Sequence, residues 1–111
     1  MANKEVAACG APDSPQGCGK ALVLRPAVQW FAEEMERQLR THDRTKGEEG
    51  WREMSEDELL LLLNDEYDEL LWAIRDDLGP ESTIHESTDI AAICMMIADN
   101  ARRRKEASGH A

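Results

Sequence analysis

No apolar run in this chain approaches the ~20 residues that a membrane-crossing helix requires, and no charged-then-apolar leader opens it. Metal-binding and crosslinking patterns are equally scarce. The three cysteines, Cys9, Cys18 and Cys94, are odd in number and far apart. The histidines, His42, His85 and His110, lack zinc-type spacing, so a site at Cys9 and Cys18 would want two further ligands. Cys9 and Cys18 are read as tail thiols, and Cys94, in an apolar helical run, as a buried reduced thiol. A reducing cytoplasm is the expected setting. Positive charge is also short: 13 basic residues face 23 acidic ones, a formal net charge of -10. That balance excludes a protein that coats nucleic acid, since phosphate backbones are held by surplus Lys and Arg. The one dense basic run, Arg102 to Lys105, complements the negative end of a helix. The period-2 alternation of a strand is missing, and so is any Glu-x-x-His pair of the kind di-iron bundles use.

What the 111 residues do contain is helical periodicity. Residues 1–25, with Gly10, Pro12, Pro15, Gly17 and Gly19, have no sustained period and read as an N-terminal arm. Pro26 suits the first turn of a helix, where its missing N–H would be unpaired anyway. Val28, Phe31, Met35 and Leu39 then fall on one stripe, which fades near His42. A polar connection, Asp43 to Met54, leads to Ser55, whose partner Glu58 three residues on makes a capping box. The second helix is expected to run to about Leu78, with Leu60, Leu63, Tyr67, Leu70, Ile74 and Leu78 as its core stripe. After Gly79 and Pro80, a third helix is expected from Ser82 or Thr83 to about Glu106, apolar on every side between Ile90 and Ala98. Residues 107–111 form a tail. This predicts one all-α domain over residues 26–106, a helical bundle whose surplus apolar faces are buried by oligomerisation.

Two acidic pairs interrupt this pattern. Glu66 and Glu69 sit three apart on the second helix, and Glu86 and Asp89 repeat the spacing on the third, so each pair projects from one patch. Glu66 and Glu69 share a face with Leu62 and Ala73, while Asn64, Asp65, Asp68 and Arg75 take the solvent side. Glu86, Asp89, Ile93, Met96, Asn100 and Arg103 share one face of the third helix. If the helices run antiparallel, four carboxylates meet in partly apolar surroundings and repel unless a cation lies between them. Magnesium, a hard ion that prefers oxygen ligands, is the simplest occupant, with manganese able to substitute. A phosphate substrate could approach so acidic a chain only if bound cations reverse the local sign. His85, next to Glu86, is expected to be a first-turn residue rather than a ligand.

The run Asp65-Glu66-Tyr67-Asp68-Glu69, followed after residues 70–85 by Glu86-Ser87-Thr88-Asp89, resembles the signature of the MazG-type all-α nucleoside triphosphate pyrophosphohydrolases, a superfamily that includes the dimeric dUTPases. The family pattern is Glu-Glu-x-x-Glu, a spacer, then Glu-x-x-Asp; the chain departs from it only in having Asp65 for the first glutamate. The likeness spans about residues 26–106. It extends to Phe31-Ala32-Glu33-Glu34-Met35, to Lys46-Gly47 and Gly50-Trp51, and to Met95-Met96-Ile97-Ala98-Asp99-Asn100, which are similar to small stand-alone bacterial and phage members, among them enzymes acting on dATP and dGTP.

The resemblance implies an enzyme that cleaves a nucleoside triphosphate between its α- and β-phosphates, releasing the monophosphate and pyrophosphate. Glu66, Glu69, Glu86 and Asp89 would hold Mg²⁺ and form the catalytic centre. Lys46 and Arg52 are candidates to grip the outer phosphates, Asn100 and Arg103 to reach triphosphate or sugar, and Trp51 (or Trp30) to stack on the base. Such a chain would work as a homodimer or homotetramer, without nucleic-acid or membrane partners. The competing reading is a non-catalytic acidic helical adaptor, in which the carboxylates are a solvated face.

Overall fold

The computed structural model describes residues 21–109, the side chains of Thr45 and Lys46 excepted. Cys9, Cys18, His110 and most of the expected arm lie outside the described residues. Helix α1 spans Pro26–Lys46, a 3₁₀ turn comes next at Gly50–Glu53, and helices α2 (Glu56–Arg75) and α3 (Pro80–Gly109) complete the order. No strand occurs among the described residues, so the all-α expectation holds. The described residues fall into two compact units, 21–30 and 31–109, with the boundary inside α1. In the first, Val28 and Gln29 both donate their backbone N–H to the Arg25 carbonyl, starting α1 at the expected proline. The second unit holds the rest of α1, the 3₁₀ turn, α2 and α3.

α2 begins as its sequence requires. Ser55 Oγ accepts the Glu58 N–H at 3.1 Å, and Glu58 Oε1 accepts the Ser55 N–H at 2.8 Å, so two otherwise orphaned donors are satisfied reciprocally. Its end differs from expectation. The helix stops at Arg75 rather than near Leu78, because Asp77 turns left-handed (φ 52°). The Leu78 N–H then reaches back to the Ala73 carbonyl and the Asp77 N–H to the Ile74 carbonyl, the paired bonds of a Schellman motif. Gly79, at φ 102°, supplies the second left-handed residue, a conformation that glycine adopts without steric cost. Pro80, not Ser82 or Thr83, starts α3, filling the same first-turn position as Pro26 in α1. α1 also runs one turn past His42.

Two contacts far apart in sequence show that α2 and α3 are antiparallel. Arg104, near the end of α3, binds Glu56 at the start of α2 at 2.7 Å, and Glu66, midway along α2, meets Glu86 and Asp89 midway back. The face that α2 turns inward carries Leu59 (0 % exposed) and Ala73 (2 %), with Glu66 between them at helical spacing. α3 answers with Thr88, Ala92 and Ile93, and Thr88 ties its hydroxyl to the Ile84 carbonyl at 2.7 Å.

The expected core stripe of α2 is therefore corrected. Leu60, Tyr67, Ile74 and Leu78 are more than half exposed, and only Leu63 and Leu70 of that set are half-buried. Both stripes have helical period, and the antiparallel contact with α3 selected the one through Leu59 and Ala73. Cys94 is corrected for the same reason: it is exposed, on the side of α3 opposite Thr88 and Ala92.

Candidate carboxylate site and its cavity

A cavity of roughly 370 Å³ lies among α1, the 3₁₀ turn, α2 and α3, with walls from Gln38, Asp43, Trp51, Leu62, Glu66, Asp89 and Met96 among others. Its two carboxylates on the helix pair are Glu66 and Asp89. Glu66 is carried there by the inward stripe of α2, and Asp89 by the face of α3 that also bears Ile93 and Met96, two further wall residues. The apolar part of the lining includes Leu39, Trp51, Met54 and Ala92.

Charge is crowded at the polar end. Burial, then the neighbouring charges of Asp89 and Glu86, push the Glu66 carboxyl up to about 7. The ionised form is disfavoured both by lost hydration and by like charge. Glu66 Oε1 is buried and has no hydrogen-bond partner. Asp89 is held from two sides. Gln38 on α1 donates its amide to Oδ1 at 2.5 Å, and His85 Nε2 lies 3.4 Å from Oδ2. His85, Glu86 and Asp89 each offer a ligand atom, all within 4.8 Å of one another, and are the one such group found among the described residues.

Of the four acids expected to act together, Glu66, Glu86 and Asp89 are brought together. Glu69 is exposed on the next turn of α2 and does not line the cavity. His85 is not a first-turn residue, because α3 starts earlier than expected; its i,i+4 spacing to Asp89 was the sequence signal for their contact.

The residues expected to hold substrate are placed unequally. Trp51 lines the cavity. Its indole N–H is given to Asp99 Oδ2 at 3.0 Å, and its carbonyl accepts from the Asn100 amide at 3.0 Å. Arg103 Nε also binds Asp99 Oδ2 at 3.0 Å, and Arg102 pairs with Asp99 Oδ1. Arg52 pairs with Glu49 just outside the 3₁₀ turn. Asn100 and Arg103 thus act on the wall residue and on Asp99, and the Lys46 side chain lies outside the described residues. Hydrogen bonding by Trp51, reinforced by Arg102 and Arg103 and opposed by burial, lowers the Asp99 carboxyl to about 2.

Gln38 and Asp99 carried no role in the sequence reading. Gln38 is seven residues from Phe31, hence on the α1 face that turns inward, and Asp99 belongs to the Met-Met-Ile-Ala-Asp-Asn run. Neither position had a local pattern naming its partner. No family model, curated protein or solved structure matches the chain.

Proposed function

We propose that this chain is a Mg²⁺-dependent nucleoside triphosphate pyrophosphohydrolase, cleaving a nucleoside triphosphate, with dATP and dGTP favoured, between the α- and β-phosphates. The observation that carries the reading is the convergence of Glu66, Glu86 and Asp89, of which Glu66 and Asp89 line a cavity of roughly 370 Å³, with Glu66 Oε1 buried and unpartnered. Half-buried carboxylates crowded together, with the Glu66 carboxyl pushed up by burial and by the charges of Asp89 and Glu86, are a poor arrangement for stability and a good one for a divalent cation. The donor set fits: oxygen ligands on two facing helices, with the His85 imidazole at the edge and Glu69 one turn outward. The MazG-type resemblance over residues 26–106 supplies the reaction.

When bound, Mg²⁺ supplies the positive charge that a triphosphate needs at so acidic a surface and lowers the pKa of water. The chain's own residues do the rest. Gln38 on Oδ1 and His85 beside Oδ2 together set the orientation of the Asp89 carboxylate. The Trp51 ring and the aliphatic wall exclude water and receive the base, and Leu62 and Met96 flank the carboxylates. Exposed Leu60, Tyr67 and Ile74 on α2, with Leu78 just past its end, favour burial against a second copy, as a homodimer or homotetramer. No described helix is long and apolar enough to cross a membrane, and we place the enzyme in the cytoplasm.

The deciding experiment is pyrophosphate release from a panel of nucleoside triphosphates with Mg²⁺ or Mn²⁺, on wild type, Glu66→Gln, Glu69→Gln and Asp89→Asn. Metal-dependent release, abolished in the variants, is expected. Unchanged turnover in Glu66→Gln and Asp89→Asn would eliminate the site.

A further inference from the structure

We infer that Asp99 and Asn100 form a clamp that fixes the Trp51 ring as the cavity wall against which a planar base stacks, making both positioning residues. The inference rests on the nucleotide reading and adds to it how the base is held.

Trp51 sits in a four-residue 3₁₀ turn, too short to hold a large side chain by itself. Two of its polar groups are engaged by consecutive residues of α3: the indole N–H by Asp99 Oδ2 and the backbone carbonyl by the Asn100 amide. Asp99 and Asn100 are each 9 % exposed, so these bonds form away from bulk water, where an unmet donor is costly. Asp99 is itself aimed. Arg103 shares Oδ2 with the indole, and Arg102 takes Oδ1. A carboxylate is the strongest acceptor available for an N–H that can only donate. The result is a ring pinned through its indole N–H in a residue that lines the cavity. Asp99 lies outside the cavity wall, so its action on a ligand passes through Trp51. A fixed ring loses less freedom when a base stacks on it than a mobile one, and the gain appears in affinity rather than in the chemical step.

The test uses the full chain and four variants: Asp99→Leu, Asp99→Asn, Trp51→Phe and Trp51→Phe with Asp99→Leu. Calorimetry measures binding of Mg²⁺–dATP and of Mg²⁺–tripolyphosphate, which has phosphates but no base. Asp99→Leu should weaken dATP about tenfold, within the range that stacking on an aromatic ring contributes, and leave tripolyphosphate unchanged. Asp99→Asn keeps an oxygen acceptor and should recover most of the loss. The double variant should bind dATP no more weakly than Trp51→Phe alone. Equal weakening of both ligands, or additive losses in the double variant, would overturn the clamp.

A ligand-free readout separates this from the parent reading. The Trp51 indole proton, assigned by its disappearance in Trp51→Phe, should exchange slowly in wild type and fast in Asp99→Leu. Unchanged exchange sinks the clamp. Wild type that binds neither ligand sinks the nucleotide reading, and the stacking role with it.

Discussion

Gln38 and Asp89, 51 residues apart, are joined by a 2.5 Å hydrogen bond from the glutamine amide to Asp89 Oδ1. The bond links α1 to the carboxylate cluster on α3 and, with His85 beside Oδ2, sets the orientation of the Asp89 carboxylate. A group that orients a metal ligand typically changes metal affinity by roughly 10–100-fold when removed. Gln38→Leu should therefore weaken Mg²⁺ binding by at least about tenfold in calorimetry, with the helical content unchanged. Equal affinity in the two proteins would mean that Asp89 is oriented without it.

Glu66 makes the metal-free protein pH-sensitive. Its carboxyl lies near 7 when folded, against an ordinary value of 4.5, so the folded state binds the proton more tightly. Its contribution to stability is fully present below about 4.5 and is lost as pH rises through about 7. In chelator, the melting temperature should fall from pH 5 to pH 8 more steeply in wild type than in Glu66→Gln. Parallel curves would show that the acids are not coupled.

Magnesium should reverse that behaviour. Binding only to the folded chain, it should raise the melting temperature of wild type with the logarithm of ligand excess, and leave the triple variant Glu66→Gln, Glu86→Gln, Asp89→Asn unmoved. A shift of equal size in the triple variant would place the ion elsewhere.

The ends of α2 offer two opposite changes. Ser55→Ala removes half of the capping box and should cost about 1 kcal/mol. Asp77→Gly relieves a left-handed residue at φ 52° and should stabilise by a few tenths to about 1 kcal/mol. Urea unfolding measures both. A destabilised Asp77→Gly would mean that the aspartate side chain holds the turn.

The stripe through Leu60, Tyr67, Ile74 and Leu78 is open in the single chain. If a second copy covers it, Tyr67→Lys with Ile74→Asp should elute as a monomer, where wild type is larger in light scattering. Identical masses would remove this face from the assembly.

Local signals carried a large part of the fold. Pro26 and Ser55 with Glu58 marked their helix starts correctly, since both devices act within one turn. Pro80 obeyed the rule applied to Pro26, yet the hydroxyls of Ser82 and Thr83 drew the expected start inward. In the cavity, Glu66, Asp89 and Trp51 were legible because they interrupt apolar faces or punctuate a loop. Gln38 and Asp99 were not, since each finds its partner more than 45 positions away.

By itself, then, the order of residues determined that the chain is helical, where most of its helices begin, and that acids recur three apart on two of them. These are consequences of contacts within a turn or two, which periodicity and capping encode directly. Tertiary structure alone decided which apolar stripe of α2 faces inward, that three of the four acids converge while Glu69 stays outside, and that Trp51 is gripped by α3. Several stripes of similar hydrophobicity satisfy the same helical period, and only the antiparallel packing of α2 on α3 chooses among them.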